Sequence, residues 1–131
     1  MNISPEIQQA ARELSLSYPQ YTPESYHFVA DSVTYTIGKL HSHRHISALE
    51  LLEGIREFAF TEFGVVAPQV LDSLGLRCAR NVGEVVYLLI SVKLLSDSPE
   101  DSPEDFNLDF SWEENLPRTA KGQKLPFLDV D

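Results

Sequence analysis

Residues 45–95, HISALELLEGIREFAFTEFGVVAPQVLDSLGLRCARNVGEVVYLLISVKLL, decide the fold. Three helix signals follow one another there. Ser47-Ala-Leu-Glu50 has the form of a capping box, in which the serine hydroxyl accepts from an unused N–H and the glutamate reaches back. From Ala48 the apolar positions Leu51, Leu52, Ile55, Phe58, Ala59 and Phe63 recur with a helical period. Glu50, Glu53, Arg56, Glu57 and Thr61 fall opposite, and Phe60 falls with them. Gly64 supplies the stop, giving a helix over 48–63. A second helix, over 66–74, carries Pro68 in its first turn, where a missing N–H is harmless. Gly75 ends it, with Leu76 folding back as the apolar partner of that cap. Asn81-Val-Gly-Glu84 reads as a third cap and predicts a helix over 82–95, apolar on nearly every face. Such a helix is central in its fold or shared with a second copy of the chain. The spacing is that of a helix-turn-helix or winged-helix core.

Working outward, Ser4-Pro5-Glu6 and Thr22-Pro23-Glu24 are helix starts. The hydroxyl caps, the proline suits the first helical position, and the glutamate faces the positive end of the dipole. They predict helices over 5–17, with Ile7, Ala10, Ala11 and Leu14 on one face, and over 23–40, with Tyr26, Val29, Val33, Ile37 and Leu40. The β-branched run 32–37 leaves a strand as the alternative for the second half of the latter. Ser-Pro-Glu recurs at Ser98 and Ser102, inside DSPEDSPED. Phe106 to Trp112 then alternates apolar and polar residues as a half-buried strand does, and 94–97 is placed to pair with it. The expectation is a mainly α, five-helix single domain over 1–112, with a winged-helix-like unit over 46–112, a short C-terminal β-hairpin, and an extended acidic tail over 113–131.

Charge is unevenly distributed along the 131 residues. The chain holds 20 acids and 10 bases, for a formal net charge of −10. Ten of those acids and only three bases lie after Leu95. A surface of this sign repels phosphate backbones and favours basic partners. A nucleic-acid reader needs Lys and Arg on its recognition helix and wing. The 82–95 helix offers Lys93, with Arg80 just before it. The first residues show neither a basic region nor an apolar core of a leader. The longest apolar run, 85–90, is far too short to span a bilayer. With a single cysteine, Cys78, no intrachain disulfide forms, and a soluble cytoplasmic protein is expected.

Residues able to carry chemistry are few. His41, His43 and His45 alternate and would face one way on an extended segment, as zinc or nickel ligands do. A metal site needs a further carboxylate or thiolate, and Asp31, Glu50 and Cys78 are the candidates. A solvated loop is the competing reading, so neither metal nor cofactor is assigned. Arg77 and Arg80 flank Cys78 and would favour its thiolate, but no base is in view for it. The helical glutamates lack the Glu-x-x-His pairing of a carboxylate-bridged bundle. The acidic stretch 97–109 lacks the ligand order of a calcium loop. Ser98 and Ser102 precede acids and serve equally as caps or phosphorylation sites. Gly54, in mid-helix, marks the close approach of another helix.

His45 to Gly64 resembles the central motif of an uncharacterised family of small bacterial proteins from planctomycetes and verrucomicrobia. Gly83 to Leu89 with Leu94-Leu95-Ser96 resembles its second motif, and Asp101 to Phe106 its third, so that the resemblance covers about 24–112. It implies no activity and no site residues. Ser91-Val-Lys93 departs from a more polar, glycine-containing turn, and the stretch from Leu116 lies outside the likeness.

The functional expectation is a non-enzymatic interaction or regulatory module. It would bind a basic protein partner through Asp101, Glu104 and Asp105, with Phe106, Phe110, Trp112, Phe127 and Leu128 as apolar anchors. A nucleic-acid-binding winged helix and a metal-dependent enzyme using His41, His43 and His45 are the alternatives. Homodimerisation would use the 82–95 helix.

Overall fold

Thr22 and Ser47 start the two longest helices as their signals require. Ser25 N–H donates to the Thr22 hydroxyl (3.3 Å). Both halves of the Ser47 box form, with Glu50 N–H to Ser47 Oγ at 3.1 Å and Ser47 N–H to Glu50 Oε1 at 2.8 Å. The computed structural model describes residues 5–40, 46–96 and 101–113. Within them the helices are α1 (Pro5–Ser17), α2 (Pro23–Gly38), α3 (Ala48–Phe63), α4 (Ala67–Ser73) and α5 (Ala79–Ser91). Two 3-10 turns, Gly64–Val66 and Pro103–Phe106, complete the regular structure. The strand alternative for 32–37 is excluded. Ser32 and Thr36 donate their hydroxyls to the carbonyls of Phe28 (2.8 Å) and Ser32 (2.7 Å), so these polar groups are satisfied within the helix.

The last helix begins earlier than its sequence signal placed it. Cys78, not Asn81, is its N-cap, and Asn81 works as the third helical residue reaching back. Asn81 Oδ1 accepts the N–H groups of Arg77 (3.0 Å) and Cys78 (3.1 Å). The helix also stops at Ser91 rather than Leu95. Lys93 adopts the left-handed conformation (φ 65°), and Leu94 N–H returns to the Leu89 carbonyl at 3.0 Å. This is a Schellman ending with lysine where glycine is relaxed. The end of α4 has the same geometry with glycine in place: Gly75 has φ 87° and Leu76 N–H bonds the Leu71 carbonyl at 2.9 Å.

α2 is the hub, packing on α1, α3 and α5, while α4 leans on α3. Phe28 of α2 stacks on Phe58 of α3, with centroids 5.4 Å apart, and Tyr35 lies 5.0 Å from the same ring. α5 buries one face, with Val82, Val85, Val86 and Leu89, while Arg80, Glu84 and Ser91 are exposed, so it is amphipathic and α2 takes the central place expected of it. Phe60 is buried too, against the expectation that it stands on the polar face of α3. The expected close approach at Gly54 is real. A Cβ there would collide with the Thr36 side chain, which is buried and tied to Ser32. Gly54→Ala is therefore expected to lower stability by about 1–3 kcal/mol, although alanine favours an isolated helix by about 1 kcal/mol. Thr36→Ala added to it should restore part of the loss. Additive losses in urea melts would place the collision elsewhere.

The expected hairpin is corrected: no strand occurs among the described residues. Residues 101–113 instead run back across the helices as a strap. Phe106 seats on α5 at Gly83, where a Cβ would come within 2.7 Å of the Phe106 Cβ. Arg56 stacks on the Phe110 ring (4.4 Å) and donates to the Ser111 carbonyl at 3.0 Å. Trp112 donates its indole N–H to the buried Leu76 carbonyl at 2.7 Å. With no paired strands among the described residues, the winged-helix expectation reduces to a mainly helical fold.

Candidate functional site

An open cleft of about 510 Å³ lies where α2, α3, α5 and the strap meet. Its walls are mostly aliphatic: Val33 and Ile37 from α2, Leu51 from α3, Val86 and Ile90 from α5. Leu94, Leu95 and Phe106 extend that surface, and Asp101 and Asp105 of the strap also line the cleft. The two carboxylates belong to a longer acidic run. Between Lys93 and Arg118 the sequence has eight acids and no Lys or Arg. The turn that presents them is locally fixed. Ser102 N–H donates to Asp105 Oδ2 at 3.1 Å, and Ser102 accepts from Glu104 N–H at 3.3 Å. The Ser102 hydroxyl also donates to the Glu104 carboxylate, which lowers the Glu104 pKa and keeps it ionised.

The expected partner-binding residues divide into two groups. Asp101 is half-buried at the cleft, while Glu104 and Asp105 are exposed beside it. Phe106 and Trp112 are core residues, buried by the chain's own helices, so neither offers an exposed ring to a partner. Phe110 is half-buried between Arg56 and Trp112, its ring edge-on to the indole at 5.6 Å. Phe127 and Leu128 lie outside the described residues, as do His41, His43 and His45. Sequence reasoning did not assemble the cleft. The available signal was an excess of aliphatic residues on α5 and after it, at Ile90, Leu94 and Leu95.

A second polar cluster joins α5 to the α1–α2 connection. Tyr21 donates its hydroxyl to Glu84 and accepts from Asn81 Nδ2 at 3.3 Å. Burial, reinforced by the Glu84 carboxylate, raises the Tyr21 pKa. The Cys78 thiol is exposed and donates to Asn81 Oδ1 at 3.3 Å. Every member of this cluster has a role in holding the start of α5, which is the work of a cap.

Tyr26 differs. It is fully buried, and its hydroxyl finds no hydrogen-bond partner among the described residues. Burial pushes its pKa up to about 12, with the nearby Tyr18 contributing in the same direction. The unfolded chain releases this proton near pH 10, whereas the folded chain holds it to about pH 12. Stability from this group is thus complete below pH 10 and is lost as pH rises from 10 to 12. Tyr26→Phe should be neutral or stabilising by up to about 1 kcal/mol at pH 7, and more resistant than the parent to denaturant at pH 11. A clear loss at pH 7 would reveal a partner for the hydroxyl.

Among the described residues no group of three His, Cys, Asp or Glu side chains is placed to hold a metal, and no helix is long and apolar enough to cross a membrane. Asp31, one of the proposed supplementary ligands, is half-buried, and burial raises its pKa. The chain matches no family model, and no curated protein or solved structure aligns with it significantly.

Proposed function

We propose that the chain is a non-enzymatic interaction module that binds a basic protein partner at the cleft and along its acidic edge. One observation carries the reading: a cleft with mostly aliphatic walls is bordered by Asp101 and Asp105, with Glu104 beside them. The apolar part supplies affinity, and the acids supply steering and orientation. Trp112 does not line this cleft, and Phe106 contributes to it only the small part of its ring left uncovered by the core. Binding of nucleic acid is disfavoured on this face, because neutralising phosphates requires cations that 94–117 lacks. A homodimer through α5 is opposed by a charge of −10 on each copy.

The test uses a partner recovered by cross-linking in cells. Its association should slow as salt rises. Converting Asp97, Asp101 and Asp105 to Asn, and Glu100 and Glu104 to Gln, should slow it about tenfold or more at low salt. Unchanged association kinetics in that variant would refute the reading.

A further inference from the structure

The shape of the cleft narrows the kind of partner. We infer that it receives an amphipathic basic helix, aliphatic face inward, with Lys or Arg on the flank beside Asp101 and Asp105; this rests on the interaction reading above. Three walls of the cleft are α-helical, and helical backbone groups are bonded to one another. No strand edge exists among the described residues to pair with an extended peptide. An extended segment pressed against Val33, Ile37, Leu51, Val86 and Ile90 would leave its own N–H and C=O groups unpaired. A helix satisfies its backbone internally and presents only side chains, at the i, i+3, i+4, i+7 spacing of a groove-bound helix. The volume of about 510 Å³ lies within the range of roughly 300–1,000 Å³ of ligand-holding clefts, enough for the side chains of one face but not for a whole helix.

Charge selects the composition of that helix. The strap provides Asp101 and Asp105 at the cleft and Glu104 next to them, and its described residues include no Lys or Arg. A neutral or acidic amphipathic helix would have the same shape and the wrong field. A second copy of this chain is disfavoured by the same argument, because it would bring a like-charged edge.

The experiment uses the full chain and synthetic peptides of about 18 residues, long enough for measurable helicity. One carries a leucine stripe at helical spacing with Lys and Arg elsewhere. The second has the same composition with the stripe scrambled. The third has every Lys and Arg replaced by Glu. Affinity is read by fluorescence anisotropy, and position by the methyl resonances of Ile37, Leu51 and Ile90. The first peptide should bind and shift those methyls, the scrambled one should bind at least tenfold more weakly, and the acidic one should not bind. Equal binding of the first two would overturn the helix while leaving acidic-edge binding intact. Failure of every basic peptide would overturn both. Methyl shifts that depend on protein concentration alone would assign the cleft to a second copy. Shifts produced without peptide by Lys124→Glu with Phe127→Ala would assign it to the chain's own end. Either of these last results overturns the inference. The protein itself is unaltered in the peptide arms, so misfolding cannot imitate any of their outcomes.

Discussion

Truncating Phe106 to alanine is expected to destabilise the fold by about 3–5 kcal/mol, the range for losing a buried phenyl ring. The ring is 5% exposed and rests on α5 at the one position of that surface without a side chain, Gly83. Its Cβ, Cγ and Cδ2 all come within 3 Å of where a Gly83 Cβ would stand. A glycine seat cannot close over the space left by the ring, because it has no side chain to move into it. The site therefore sits at the costly end of cavity formation, where surrounding groups do not relax. With total stabilities of about 5–15 kcal/mol, such a loss puts a measurable fraction of the chain in the unfolded state at ambient temperature. Urea denaturation reads it directly. A loss below about 1 kcal/mol would show that the strap lies on the helices without completing their core.

Trp112→Ala should cost a similar amount, about 3–5 kcal/mol, but for two separable reasons. The indole is 6% exposed, and its N–H donates to the carbonyl of Leu76, a residue with no exposed surface. Trp112→Phe keeps most of the ring and removes the donor, so it isolates the orphaned carbonyl, worth about 1–3 kcal/mol. Leu76 is also the residue that folds back to close the Gly75 cap. Loss of Trp112 is thus expected to loosen the α4–α5 junction first, with faster amide exchange there than in α2. Circular dichroism melts serve for these variants, since the chain's only tryptophan is the residue removed. If Trp112→Phe matched the parent in stability, the Leu76 carbonyl would be satisfied in some other way.

The helices were legible because their signals are local. Ser47 and Glu50, Thr22 and Pro23, Gly64 and Gly75 act within one turn of where they stand, and the helices they bound appear within two residues of the expected limits, 23–40 ending at Gly38 and 66–74 running from Ala67 to Ser73. The misplaced start of α5 has the same origin: Asn81 was a sound capping residue, but its oxygen serves as an acceptor reaching back toward Arg77 and Cys78 rather than as the cap itself. The strap was misread because its partners are remote. Phe106, Phe110 and Trp112 are spaced like a strand, yet each answers to a different feature far earlier in the chain: Gly83, Arg56 and Leu76. The same remoteness made the aromatics look like free anchors. The glycine at position 83 was the usable clue, since a glycine in the middle of an apolar helix asks what approaches it. The cleft was illegible for a related reason, its lining being drawn from α2, α3, α5 and the strap.

The strap also carries an implication for synthesis. Its contacts with the helical body span 55 residues, from Arg56 to Ser111, and 36 residues, from Leu76 to Trp112. A ribosome releases α1 to α5 before it releases those residues, and domains begin to organise as they emerge. During that interval the furrow over Gly83 stands open and the Leu76 carbonyl lacks its donor. A chain lacking the strap residues is expected to be a less complete bundle, with apolar surface at Gly83 uncovered. Arrival of residues 101–113 ends that state. The strap thus separates a polypeptide that includes residues 101–113 from one that stops short of them.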